Sequence, residues 1–223
     1  MDLNPIWLTL KLALITTILL LIIGLPLAWW LSKGRAFYKI FLEAIVTIPL
    51  VLPPSVLGFY LLIAFSPRNG LGKWLLQNFN LQFVFSFKGL VLASIIYSLP
   101  FMVGPIKSAL QQLPKSLSEA SYSLGKSKWQ TFINVLLPNI KAPLFTALVL
   151  TFAHTLGEFG VVLMIGGNIP GVTRVASIAI YDSVEQMDYA TANNYSLILF
   201  AITFLVVVAV FIFNKYQLKS PIA

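Results

Sequence analysis

Five apolar runs, each about as long as a bilayer is thick, constrain this chain more than any other feature. They lie at about 6–31, 42–65, 89–107, 142–165 and 195–214. Crossing roughly 30 Å of hydrocarbon takes about 20 residues of helix. The chain therefore reads as an all-α integral membrane protein of five transmembrane helices in a single domain, 1–223. Composition agrees: 58% of residues are apolar and 10% charged, against about 25% charged in soluble domains. The first run starts within a few residues of Met1, yet it is too long for a signal peptide, lacks a basic leader and has no small-residue cleavage site. It is read as a true span. With no cysteine, a disulfide framework and a thiolate metal site are excluded.

Orientation follows from the placement of the basic residues. Lys33, Arg35, Lys39, Lys107, Lys115, Lys126, Lys128, Lys141, Lys215 and Lys219 fall on one side of the expected membrane. Arg68, Lys73, Lys88 and Arg174 fall on the other, with Lys11 at the margin of the first span. The richer side is cytoplasmic by the positive-inside rule, which puts the N-terminus outside and the C-terminus in the cytoplasm. The net charge of +8 is not the mark of a nucleic-acid surface, because the basic residues sit at span ends and form no run interleaved with aromatics.

The spans are expected to be irregular. Pro26, Pro49, Pro53, Pro54, Pro100 and Pro105 each remove a backbone donor, and the carbonyls so freed must face protein or water. IPLVLPP at 48–54 predicts a discontinuous helix lining a cavity or a protein interior. Among the outer connections, 66–74 reads as turn-rich. Residues 168–189 open on a Pro-Gly turn and then read as a short amphipathic helix with Asp182, Glu185 and Asp188 near its end.

SLSEASYSLGKSKWQTFINVLLPNI, 116–140, interrupts the apolar pattern. Ser116 with Glu119, and Ser127 with Gln130, have capping-box spacing, so a helix is expected to start at Ser116 and another at Ser127. Gly125 is placed to end the first in a left-handed conformation, and Pro138 to end the second. Leu117, Ala120 and Leu124 share one face; Trp129, Phe132, Ile133, Leu136 and Leu137 form a second apolar stripe. Both helices are too short to cross a membrane. They are expected at the cytosolic surface as a docking element or an interfacial hairpin.

Within this stretch Glu119-Ala120-Ser121, Gly125 and Val135-Leu136-Leu137-Pro138 resemble the EAA loop of permease subunits in type I ABC importers, with Ser121 for the second alanine and Val135 for isoleucine. That resemblance implies the type I ABC importer permease fold. It also implies that the cytoplasmic loop 114–138 is a coupling element gripped by an ATPase, with Glu119, Ala120 and Gly125 in the contact and Leu137 and Pro138 fixing the loop to the fourth span. IPLVLPPSVLGFYLL at 48–62 and HTLGEFGVVLMIGGNIPGVTR at 154–174 extend the similarity to molybdate (or tungstate) permeases, with features shared by sulfate/thiosulfate permeases. The resemblance further implies a homodimer in a bacterial or archaeal plasma membrane, two cytosolic ATPase subunits and an extracytoplasmic oxyanion-binding protein. No cofactor is implied for this chain; ATP-Mg belongs to the partner ATPase, in keeping with the absence of a G-x-x-x-x-G-K-[ST] pattern. A channel or membrane anchor is the reading left if the loop has no partner.

An ionisable residue at membrane depth is a functional candidate, and His154 and Glu158 lie one helical turn apart. A third metal ligand is missing, which argues against a metal site; the two are expected as an interior packing pair or as a polar pair at the watery end of the helix. A carboxylate repels an oxyanion, so Glu158 is not expected to hold substrate directly. Thr47, Ser55, Ser94, Ser98, Thr151 and Thr155, with Glu158, are candidates to line a pore or to join helix to helix. Glu43 has Lys39 four residues before it and is expected to pair with it. Lys73, Lys88 and Arg174 are placed to help dock an external partner, or are ordinary surface charges.

Overall fold

The computed structural model describes residues 2–34 and 36–218; Arg35 and Lys219, two of the counted basic residues, lie outside them. Among the described residues every regular element is a helix. In chain order these are α1 (Asn4–Ser32), α2 (Phe37–Val51), α3 (Pro54–Phe65), α4 (Gly70–Phe79), α5 (Phe87–Gln112) and α6 (Lys115–Ser123). Next come α7 (Lys128–Thr131), a π-helical segment (Phe132–Leu136), α8 (Leu137–Asn139), α9 (Lys141–Leu156), α10 (Gly160–Gly166), α11 (Ala176–Glu185) and α12 (Tyr189–Leu218). α1, α5 and the Tyr189–Phe213 part of α12 are each long and apolar enough to cross a membrane. α2 with α3, bent by 114°, and Lys128–Asn139 with α9, bent by 79°, reach that length only as pairs.

Not every proline breaks its helix. Pro26 lies inside α1, Pro49 inside α2, and Pro100 and Pro105 inside α5. The chain breaks at Leu52–Pro53, where both residues are extended (ψ 138° and 134°). The cause is the Pro53-Pro54 doublet. A residue preceding proline is pushed out of the α region, and here two consecutive residues precede one. The 142–165 run, expected as one span, is two helices: α9 stops at Leu156, and α10 restarts at Gly160 after Phe159 takes φ −130°, ψ −68°. The turn-rich 66–74 segment runs into a helix, α4, which closes in left-handed Asn80.

α1 packs along α5 and α5 along α9, with α1 also touching α9, so these three form the centre of the bundle. One end of its core gathers Leu20, Ala28, Met102, Ile106, Phe132, Leu136 and Ile140. The other gathers Leu12, Leu61, Leu90, Val161, Ile165 and Ile178. α12 lies outermost, against α9 and α11, and shows Phe200, Phe204 and Phe211 to its surroundings, as a helix facing lipid does.

α3 approaches α10 closely because Gly58 has no side chain. A β-carbon there meets the Met164 Cβ at 2.7 Å and the Val161 Cα and carbonyl oxygen at 3.1 Å. Gly58→Leu is therefore expected to push the two half-helices apart at a cost of about 1–3 kcal/mol, read as a lower midpoint of thermal unfolding in detergent.

Lys39 and Glu43 do not pair. Lys39 is buried, and its ammonium donates to the Trp30 carbonyl at 2.6 Å and to the Lys33 carbonyl, capping the C-terminus of α1. Glu43 instead pairs with Lys107 of α5. The open carbonyls at a helix C-terminus carry partial negative charge and compete successfully for a nearby lysine. Lys39→Met, which keeps the stem and removes the charge, is expected to cost about 1–2 kcal/mol, measurable in the same unfolding assay; Glu43→Gln, on the more exposed ion pair, is expected to cost under about 1 kcal/mol.

Candidate functional site

The two breaks meet. The N-terminal turn of α3 lies against the restart of α10: a β-carbon on Gly160 falls 3.0 Å from the Pro54 Cβ and 3.3 Å from the Ser55 amide nitrogen. Beside this junction is a recess of about 610 Å³, walled by Ser55, Tyr97, His154, Glu158 and Gly160 among others.

Behind the recess lies a buried polar network. Ser94 and Ser98 are four residues apart on α5 and share a face, as do Thr151 and Thr155 on α9. Glu158 sits in the break after α9 and is 3% exposed. Ser98 donates to its Oε1 at 2.7 Å and Ser94 to its Oε2. Ser98 also touches the Thr155 hydroxyl at 3.0 Å and His154 Nδ1 at 2.8 Å. Thr155 donates to the Thr151 carbonyl at 3.0 Å, and Thr151 to the Ala147 carbonyl at 2.7 Å. The Glu158 carbonyl, left open by the helix break, accepts from Ser177 of α11 at 2.5 Å. A buried polar group without a partner is costly; here the broken turn and its carboxylate are both supplied with donors from neighbouring helices.

Of the seven polar candidates, Ser94, Ser98, Thr155 and Glu158 are thus brought together, with Thr151 joined through Thr155. Ser55 lies across the recess. Thr47 is elsewhere, exposed on α2 and bonded to the Glu43 carbonyl. His154 and Glu158 are 3.6 Å apart, Nδ1 to Oε1, beyond a hydrogen bond; Ser98 bridges them. The His154 ring stacks on Phe101 at 4.0 Å and leans on Tyr97 at 4.7 Å. Among the described residues no group of three or more His, Asp or Glu is placed to hold a metal. Ser177 was not flagged by the sequence, since a serine in a short amphipathic helix carries no local sign of a distant carbonyl. Arg174 is occupied: it donates to Asn168 at 2.5 Å and lies 3.3 Å from Asp182. Lys73 is exposed, and Lys88 borders an apolar recess with Phe83 and Phe87.

The second element is the loop. α6 starts one residue earlier than the serine spacing predicts, because Pro114 (φ −57°, ψ 134°) occupies the N-cap and no side chain caps the helix. A capping box needs its serine at the non-helical position, and Ser116 is already inside the first turn. The Ser127–Gln130 box does form, with bonds of 3.2 and 3.0 Å. Gly125 adopts φ +75° with open space around it. Ser121 and Thr131, both buried, bond hydroxyl to hydroxyl at 2.9 Å and tie the two helices together. Pro138 does not end the second helix. The π segment leads directly into Leu137–Asn139, and the turn comes at Ile140 (φ −112°, ψ 17°).

The loop is fastened to the bundle by its aromatic stripe. Phe132 stacks on Trp29 of α1 at 4.3 Å, and Trp129 lies 5.8 Å from Trp29. Phe132, Leu136 and Ile140 belong to the same core as Met102 and Ile106 of α5. Glu119, Ala120 and Gly125 remain exposed. A groove of about 480 Å³ runs between the two helices, bordered by Leu117, Ala120, Leu124, Gln130 and Val135. Leu137 is partly buried and Pro138 exposed.

Comparison with known proteins fits this geometry. The family model described as binding-protein-dependent transport system inner membrane component matches residues 9–220. The molybdenum transport system permease protein ModB of Azotobacter vinelandii is 45% identical over 97% of this chain and 96% of its own length. A probable sulfate transport system permease protein of Chlorella vulgaris is 39% identical over 83% of this chain and 70% of its own. Among solved structures, a bacterial ABC transporter involved in the import of alginate aligns with a TM-score of 0.79 at 18% identity, covering 98% of this chain and 80% of that one. The MetNI methionine ABC transporter, in an inward-facing conformation, aligns at 0.74 and 21%, covering 96% and 94%. The fold is that of an ABC importer permease. The chain belongs to the family of inner membrane components of binding-protein-dependent transport systems, as a multi-pass permease subunit and not an enzyme.

Proposed function

We propose that this chain is the membrane subunit of an ATP-driven importer of molybdate or tungstate, working as a homodimer with two cytosolic ATPases and an external oxyanion-binding protein. The observation that carries the substrate is the 45% identity, over nearly the full length of both chains, to a molybdenum transport permease. In this reading the chain crosses the membrane five times, by α1, the bent α2–α3 pair, α5, the fourth run centred on α9, and α12. The N-terminus is outside and the loop at 114–138 is cytosolic. Energy enters at the exposed Glu119, Ala120 and Gly125, which offer a contact surface, while Phe132 and Leu136, buried among α1 and α5, carry the motion inward. The Ser94–Ser98–Glu158 network holds the broken helices beside the recess in a fixed relation. It is not a substrate ligand, since a carboxylate repels a dianion.

Sulfate is the second reading, favoured by the 39% identity to a probable sulfate permease. Both cargoes are tetrahedral dianions. Competition among molybdate, tungstate and sulfate for uptake by the reconstituted complex separates them: excess tungstate is expected to suppress molybdate uptake and excess sulfate to leave it unchanged. Suppression by sulfate at equal excess overturns the molybdate assignment.

A further inference from the structure

Where the C-terminal ends of α1 and α5 meet the start of α6, the structure holds a chamber of about 570 Å³. Its polar wall is made by Ser32, Lys33, Gln111, Lys115 and Ser118, with no carboxylate. Among the described residues Lys33, Lys115 and Lys128 make no ion pair. The Lys33 ammonium rests 3.5 Å above the Trp29 ring, and burial, then the nearby charges of Lys128 and Lys39, hold it below the ordinary lysine range. Lys39 donates to the carbonyls at the end of α1 and adds a further positive charge nearby. Trp29 also lines the chamber, and its indole N–H is buried without an acceptor.

The polar lining thus carries two cations with neutral hydroxyl, amide and indole groups, and no negative charge to answer the cations. They lie at the ends of two membrane helices, beside the exposed Trp30 and Trp129, and tryptophans of this kind mark the depth of lipid headgroups. Basic pockets between membrane helices at that depth suit anionic headgroups. We propose that this chamber holds the phosphate of an anionic phospholipid from the leaflet on which the α6–α7 loop lies. Lys33 and Lys115 supply the charge, and Gln111, Ser118 and the Trp29 indole are the neutral donors around the phosphate oxygens; the Ser32 hydroxyl is already given to the Trp29 carbonyl at 2.7 Å. The bound headgroup bridges the ends of α1 and α5 to the first helix of the loop. The inference rests on α1 and α5 crossing the membrane and is independent of the cargo.

Native mass spectrometry of the full-length chain, alone and with its copurified ATPase, tests it with phosphatidylglycerol and phosphatidylcholine titrated separately. One phosphatidylglycerol per chain is expected to be retained, in both preparations, and phosphatidylcholine is not. Lys33→Gln with Lys115→Gln is expected to weaken retention about thirtyfold, the factor to which about 2 kcal/mol from two interfacial lysines corresponds. Lys73→Gln with Lys88→Gln serves as the control and is expected to change nothing. Equal retention of the two lipids, or full retention by the Lys33/Lys115 variant, overturns the proposal. Displacement of the lipid by inorganic phosphate shows a site for a free oxyanion instead, and loss of the lipid only when the ATPase is present shows a protein contact; each overturns the lipid assignment. Should the double variant fail to fold, the wild-type competition among the two lipids and inorganic phosphate decides alone.

Discussion

Gly125→Val is expected to leave the protein in the membrane and abolish most transport. At φ +75° a β-branched residue is a conformational outlier, and a left-handed residue with a side chain costs about 1–2 kcal/mol. No neighbouring atom lies within 4 Å of a β-carbon at this position, so the penalty is one of backbone strain and not of collision. The loop relieves it by rotating out of the left-handed turn, which swings α6 relative to α7 against the Ser121–Thr131 bond. The bundle core, with Phe132, Leu136 and Ile140, is untouched. Membrane yield and unfolding temperature are expected to stay near wild type and the ATPase to keep hydrolysing. Uptake per ATP is expected to fall about tenfold or more, within the range of coupling free energies of about 1–3 kcal/mol. Gly125→Asn, a residue that tolerates the left-handed region, is expected to restore most of the uptake. Unchanged uptake in the valine variant counts against the loop as the point where energy enters.

Glu158→Ala is expected to be the most destabilising of these changes. It strips Ser94 and Ser98 of a shared acceptor in the middle of the bundle, where leaving buried donors unpaired costs about 1–3 kcal/mol each. Ser94 recovers part of this by turning back to its own helix, as serines do, and Ser98 by turning to Thr155, so a net loss of about 2–4 kcal/mol is expected. Glu158→Gln keeps an acceptor for Ser98 and offers Ser94 a donor, and is expected to lose about 1 kcal/mol or less. Thermal unfolding of both variants in detergent checks the difference. If the alanine and glutamine variants unfold at the same temperature as wild type, the network does not hold the break together.

Much of the loop was legible because its determinants are local. A glycine between two polar helices and a serine three residues before a glutamine specify geometry without help from elsewhere, and Gly125, Ser127 and Gln130 behave accordingly. Ser116 and Glu119 have the same spacing and fail, since the preceding proline takes the cap. The pair Lys39–Glu43 fails for a related reason: spacing of four residues permits a bond, but the open end of α1 and Lys107 of α5 are better partners. Pro53-Pro54 announced its break through backbone sterics that act on neighbours alone. The break at Gly157–Phe159 was hidden inside a run whose average hydropathy is high, although Gly157 and Gly160 flank the Glu158-Phe159 pair. Helix α4 was concealed by the glycines at its start. Ser94, Ser98, Thr155 and Glu158 could each be marked as polar at membrane depth, but their meeting around one carboxylate depends on how α5 and α9 pack, which no local pattern states.

In the proposed function, ATP hydrolysis in a partner subunit drives an oxyanion through this chain by way of the loop at 114–138. The most direct measurement of this is uptake of radiolabelled molybdate into proteoliposomes containing the copurified complex and its binding protein, with ATP sealed on the loop's side. Uptake is expected to require ATP and the binding protein together and to cease when either is withheld. Copurification without an ATPase, or uptake indifferent to ATP, contradicts it.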